Sequence, residues 1–150
     1  MGGGATSRLY RALVVEQGLA AGAGSSYDAS SLDLTTFAFR ASPRIGIEID
    51  ALEAALRAEL ARVLAEGVSE AEVAASKRRL KALAVYARDS LSTGARVIGA
   101  ALTTGQSVED VEAWPERIDA VTAEQVNEAA KALLRDTHSV TAYLLPKPTT

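Results

Sequence analysis

Ile49, Leu52, Leu56, Leu60, Val63 and Leu64 recur at the spacing of one helical face, and Gly67 follows where a left-handed cap would stop the helix. Two residues on, Ser69 and Glu72 have the spacing of a capping box, and Val73, Leu80, Leu83, Ala84 and Ala87 supply the apolar stripe of a second helix. Near Arg88-Asp89-Ser90 the stripe changes phase, which predicts a bend or break at Asp89. Leu91, Ala95, Ile98, Leu102 and Thr103 then begin a third segment that stops at Gly105. This central helical block is the strongest constraint on the fold.

Its core has to be built from small aliphatic side chains. Hydrophobic residues make up 48% of the chain but aromatics only 5%, so Leu, Val, Ile and much Ala must fill the interior, which suits closely packed helices. A compact chain of 150 residues buries ~68–70% of its unfolded surface, enough for one domain with a real core.

Before the block, Leu9, Ala12, Leu13 and Glu16 lie at helical spacing within Ala5 to Glu16, with Thr6 or Ser7 placed to cap the helix. Leu19 to Tyr27 reads as a strand of small residues, followed by a turn at Asp28-Ala29-Ser30-Ser31. Leu32 to Ala41 alternates as a second strand, broken by Ser42-Pro43-Arg44. Such small strand residues leave room for a helix or backbone to approach the sheet closely. After the block, Ser107 with Asp110 and Thr122 with Gln125 mark two helix starts, Trp114-Pro115 predicts an extended step between them, and Ser139 to Leu145 predicts a closing strand stopped by Pro146, with a frayed tail from Lys147. The order predicts an α+β fold: a mainly antiparallel sheet with several helices packed on one face.

Little in the chain can do chemistry. A net charge of -3 with cations spread among acids argues against nucleic acid, and Lys77-Arg78-Arg79-Lys81 reads as a solvated helix face. No apolar run approaches the ~20 residues needed to span a bilayer, so no membrane is expected, and the N-terminus lacks the order of a signal peptide. There is no Cys and a single histidine, His138, at the expected start of the last strand. Three or four converging zinc ligands are therefore out of reach. No Gly-x-Ser-x-Gly elbow occurs, and Gly22-Ala23-Gly24 lacks the third glycine of a dinucleotide fingerprint. Glu70 with Glu72, and Glu109 with Asp110, fall at helix starts, where they complement the dipole. Trp114 reads as a packing anchor. No catalytic, cofactor-binding or metal-ligating residue is expected in this chain, and no compartment follows from it; a chain lacking its N-terminus fits a soluble protein of the bacterial cytoplasm or periplasm.

The opening, Gly2-Gly3-Gly4-Ala5-Thr6-Ser7-Arg8-Leu9-Tyr10 through Glu16-Gln17-Gly18-Leu19-Ala20, resembles the glycine turn, short helix and strand start of the second domain of pitrilysin-type (insulinase-like) zinc peptidases. The likeness continues through Ser42-Pro43, the Gly67 to Val73 helix junction, Lys77-Arg78, Gly105, and Trp114-Pro115-Glu116-Arg117-Ile118 to Val121-Thr122. It implies a single partial domain over 1–150 whose first strand and helix are missing. In this family zinc is held by a His-x-x-Glu-His helix and a later Glu of the first domain, so the resemblance implies zinc in the missing domain and no cofactor here. The half that lacks zinc contributes an Arg and a Tyr seven positions apart; matching that segment puts Val14 and Ala21 at those places. Neither can donate to a developing oxyanion.

The resemblance thus implies the C-terminal domain of a zinc metalloendopeptidase, inactive alone, supporting the catalytic domain and walling the peptide chamber. Its implied partners are the zinc-bearing domain, an Arg/Tyr-bearing homologous half or subunit, and peptide substrates. Two alternatives are a non-catalytic structural subunit of the same family and a free-standing α+β interaction module. A domain missing its first strand and helix exposes an apolar sheet edge or docking face and is expected to self-associate.

Overall fold

Ser7 starts the first helix: its Oγ accepts from Tyr10 N at 3.4 Å, so α1 (Arg8–Tyr10) begins three residues later than the apolar spacing suggested. The computed structural model describes residues 1–88 and 91–145. From Arg11 to Glu16 the winding loosens into a π-helix, closed by Gln17 N bonding to Ala12 O at 3.0 Å. This segment keeps Ala12, Leu13 and Val14 all buried.

β1 (Ala20–Ser26) and β2 (Ala38–Pro43) form an antiparallel hairpin, with Ala23 opposite Ala41, Ser25 opposite Phe39, and an irregularity between Ala20 and Gly22. The second strand is shorter than the alternation from Leu32 predicted. Pairing runs from Ala20–Pro43 to Ser26–Ala38, and residues before Ala38 have no partner strand. Leu34, in the resulting loop, is 99% exposed. The strand also runs through Pro43 rather than breaking before it, because a strand-end proline forfeits no ladder bond.

Leu9, Leu13, Val14, Ala20 and Leu52 form the buried cluster, with Ala23, Phe39 and Ala41 of the hairpin and Ala55 and Leu56 of α2 (Ile49–Glu66) packed against it. The expected close approach to the small-residue strand is made by backbone: Gly2 O accepts from Ser25 N at 3.2 Å. A Cβ on Gly2 would stand 2.2 Å from Ser25 N, so only glycine fits there. The result is the expected α+β class, with helices on one face of an antiparallel pair.

α2 ends at Gly67, whose φ of 76° is the left-handed geometry the sequence implied. α3 (Glu70–Arg88) and α4 (Leu91–Thr103) follow, then α5 (Val108–Glu112), α6 (Trp114–Ala120) and α7 (Ala123–Leu133). The Ser69–Glu72, Ser107–Asp110 and Thr122–Gln125 capping boxes all form. The expected bend at Asp89, the stop at Pro146 and the tail beyond it lie outside the described residues.

Three expectations are corrected. Trp114-Pro115 opens a helix rather than an extended step, because proline at a first helical turn sacrifices an N–H that had no partner anyway. The apolar stripes of α3 and α4 are covered only at Val73 and Ala101; Leu80, Leu83, Ile98 and Leu102 face solvent, since no described element lies over them. The segment from Ser139 to Leu145 is not a strand. A strand needs a neighbour to pair with, and among the described residues no backbone bond reaches 140–145.

Candidate functional site

The turn from the π-helix into β1 holds the two positions that the sequence singled out. Val14 is buried against the core cluster, while Ala21 sits exposed at the irregularity of β1. Between them Gly18 turns the chain with φ 64°. Arg44, just past β2, closes the turn: its Nη2 donates to Val14 O at 3.0 Å and its Nε to Ala20 O at 3.2 Å. The guanidinium is thus spent on backbone carbonyls. Neither Val14 nor Ala21 offers a donor, and Arg44 is already engaged, so the turn is built to hold shape rather than to polarise a substrate carbonyl.

A second constellation joins the chain's opening to α3. Arg8 donates from Nε to Glu72 Oε1 at 3.0 Å and from Nη2 to Glu72 Oε2 at 2.8 Å. Glu72 also accepts from Ser69 N at 2.9 Å as the capping-box carboxylate. The Arg8 guanidinium first, then the Ser69 donors, hold the Glu72 carboxyl at about 2, well below the usual carboxylate range. A carboxylate pinned so firmly is a structural anion and a poor general base at neutral pH.

A third cluster lies on α2. Glu53 accepts from Tyr143 OH, from Arg57 Nε at 2.8 Å and from Thr141 Oγ1 at 3.3 Å, and Arg57 also reaches Asp136 at 3.2 Å. The Tyr143 bond, then Arg57, lowers the Glu53 carboxyl, and the same bond raises the Tyr143 phenol. These contacts fasten the end of the described chain to the helix.

The remaining sequence candidates are scattered. His138 ends an exposed 3-10 turn, Asp136–His138, with no partner for metal binding. Gly22 and Gly24 lie inside β1. Glu70 and Glu72, and Glu109 and Asp110, occupy helix first turns as expected. Lys77, Arg78 and Lys81 line a shallow cleft with Ala74 and Asp119. They are less free than a solvated face implies: Lys77 Nζ donates to Asp119 O at 2.9 Å and Lys81 Nζ to Asp119 Oδ2 at 2.6 Å. Trp114 is half-buried at the start of α6. Among the described residues no three His, Asp or Glu side chains converge on a metal-sized volume, and no helix is long and apolar enough to cross a membrane.

Arg44 and Glu59 escaped the sequence reading. Glu59 is 5% exposed on the inner row of α2 and pairs with Arg62 at 2.8 Å. Its only signal is its place in the Leu52, Leu56, Val63 row, with an arginine three residues on.

Residues 1–80 match the family described as the peptidase M16 inactive domain. The fold resembles that of a protease from Helicobacter pylori, with a TM-score of 0.77 and 21% identity over 91% of this chain and 32% of that one. It also resembles a candidate zinc protease from Bordetella pertussis Tohama I, with a TM-score of 0.74 and 20% identity over 91% of this chain and 74% of that one. The chain therefore spans about a third of the first protein and about three quarters of the second. No curated protein sequence matches it.

Proposed function

Because the chain belongs to the peptidase M16 family, as its inactive C-terminal domain, we infer that its task is to brace a zinc-bearing catalytic domain and wall the chamber in which peptides are cut. The carrying observation is the turn at Gly18. Val14 is committed to the core, Ala21 bears only a methyl group, and the Arg44 donors are used on Val14 O and Ala20 O. A domain that assists the chemistry would present an Arg and a Tyr there; this one presents backbone and aliphatic surface.

In this reading the parent protein is a zinc metalloendopeptidase. The zinc, its His-x-x-Glu-His helix and the domain's own first strand and helix lie before the matched segment, and a homologous half supplies the Arg and Tyr. Both solved relatives are longer than the segment they share with this chain, which supports a multi-domain parent. The apolar rows of α3 and α4 that face solvent supply surface for such neighbours.

The reading is tested at the gene and at the bench. An open frame upstream of the Met1 codon that runs through His-x-x-Glu-His supports it, and a stop codon directly upstream overturns it. The purified 150-residue chain should cleave no unfolded peptide, with or without added zinc. Chelator-sensitive cleavage by this chain alone would also overturn it.

A further inference from the structure

After the turn at Asp136–His138, Ser139 is extended, with φ -119° and ψ 149°, and its N–H bonds to Asp136 O at 3.3 Å. From there the backbone of 140–145 makes no backbone bond among the described residues. Alternate side chains do the holding. Thr141 Oγ1 accepts from Arg57 Nη2 at 3.0 Å and donates to Glu53 at 3.3 Å, and Tyr143 OH donates to the same carboxylate. One side of the segment is thereby fixed to α2, and Val140 and Leu144 are left 96% and 98% exposed, with Ala142 exposed between them.

An unpaired row of N–H and C=O groups beside an apolar row is a template for another strand. Natural edges block such pairing with charge, proline or glycine-based bulges, and Ser139 to Leu145 contains none of these residues. We propose that this segment is a self-pairing edge: two copies of the chain join through Ser139–Leu145, antiparallel about a two-fold axis at Ala142.

The sequence is self-complementary in that register. Val140 falls opposite Leu144 and Thr141 opposite Tyr143, so the apolar rows of both copies share one face while each Thr141 and Tyr143 stays on its own α2. The smallest residue, Ala142, lies at the axis. One patch serves both partners, as an isologous interface requires. Surface is available as well. The chain exposes 10776 Å², against about 7,200 Å² for a compact monomer of its mass. That excess is several times the ~800 Å² per partner of a standard interface. The inference stands apart from the peptidase reading, since it concerns the chain by itself.

The absence of cysteine makes the test direct. Sedimentation equilibrium of the 150-residue chain should give twice 15.6 kDa. Val140→Lys and Leu144→Lys should each weaken the dimer roughly tenfold or more without changing the far-ultraviolet circular dichroism, because both side chains are bare in the monomer. Ala142→Cys supplies a lone thiol at the axis and should give a disulfide dimer on mild oxidation, whereas Leu133→Cys, exposed on α7, should not. A monomeric wild type overturns the proposal and leaves the edge to a strand from elsewhere in the parent protein. A dimer that survives both lysine variants, or one that cross-links equally through position 133, overturns it too.

Discussion

Arg8 and Glu72, 64 residues apart, close a two-pronged ion pair that ties the chain's first helix to the start of α3. The same carboxylate caps α3 through Ser69, so one side chain fixes a helix terminus and a long-range contact together. Its folded pKa of about 2 lies below the ordinary 4.5. The sign follows: the contribution is fully present above the unfolded value and is lost as pH falls toward 2. The Glu72 side chain is 42% exposed, so screening reduces the effect to about 1 kcal/mol. Glu72→Gln should lower the urea midpoint at pH 7, and the gap to wild type should narrow by pH 3. A gap independent of pH would show that the pair contributes by packing alone.

Asn127 grips the α2–α3 junction with both ends of its amide, Oδ1 accepting from Val68 N at 2.7 Å and Nδ2 donating to Val68 O at 3.2 Å. The same amide stands 3.0–3.2 Å from where a Cβ on Gly67 would lie. Gly67→Ala therefore combines left-handed strain with a collision and should cost about 1–2 kcal/mol. Asn127→Ala should cost about 1–2 kcal/mol by orphaning the Val68 groups. In the double variant the collision vanishes, so the two costs should sum to more than the observed loss. Strict additivity in chemical denaturation would mean that Asn127 already moves aside.

Val14 and Ala21 should respond oppositely to the residues that the family's other half carries. Val14→Arg forces a guanidinium into a site lined by Leu9, Leu13 and Leu52, beside the carbonyl that Arg44 already binds. A loss of several kcal/mol is expected. Ala21→Tyr, at an exposed irregularity, should stay within about 0.5 kcal/mol. Thermal midpoints of the two single variants decide this. An unshifted midpoint for Val14→Arg would mean that the π-helical turn can unwind to release the side chain.

The later helices depend on their caps. Ser107 and Thr122 each accept the N–H three residues on, at 3.1 Å and 3.2 Å, while Asp110 and Gln125 reach back. Ser107→Ala and Thr122→Ala should each cost about 1 kcal/mol and reduce helix content by circular dichroism. Equal helix content in all three proteins would assign α5 and α7 to tertiary packing instead.

These caps were legible because their partners lie three residues apart, and the same locality made α2 and its glycine stop readable. Whatever depended on distant partners was not. Glu59 looks like a flaw in an apolar row until Arg62 is seen over it, and Arg44 looks like loop punctuation until its two carbonyls, one before and one after Gly18, come together. The rule that a residue before proline is extended lost at Trp114 to the equally local preference of proline for a first turn. At Ser139–Leu145 the composition read as strand correctly, but composition cannot supply the neighbour that makes a strand. The absence of an Arg/Tyr pair was visible in sequence; that Val14 is locked inward by a π-helical turn was not.

The buried cluster gathers α1, the hairpin and the start of α2, whereas α4 to α7 bury little beyond Ala101 and Ala123 and are strapped to α3 by Lys77 and Lys81 through Asp119. Apolar burial resists transient opening far better than solvent-facing ionic straps do. Amide protons of Leu13 and Leu52 should therefore outlast those of α5 and α6 in exchange with solvent, and the exchange of the latter should quicken with added salt. The molecule is a rigid platform carrying a helical arm that breathes, which is how a wall between two larger bodies can yield to a passing chain without losing its own footing.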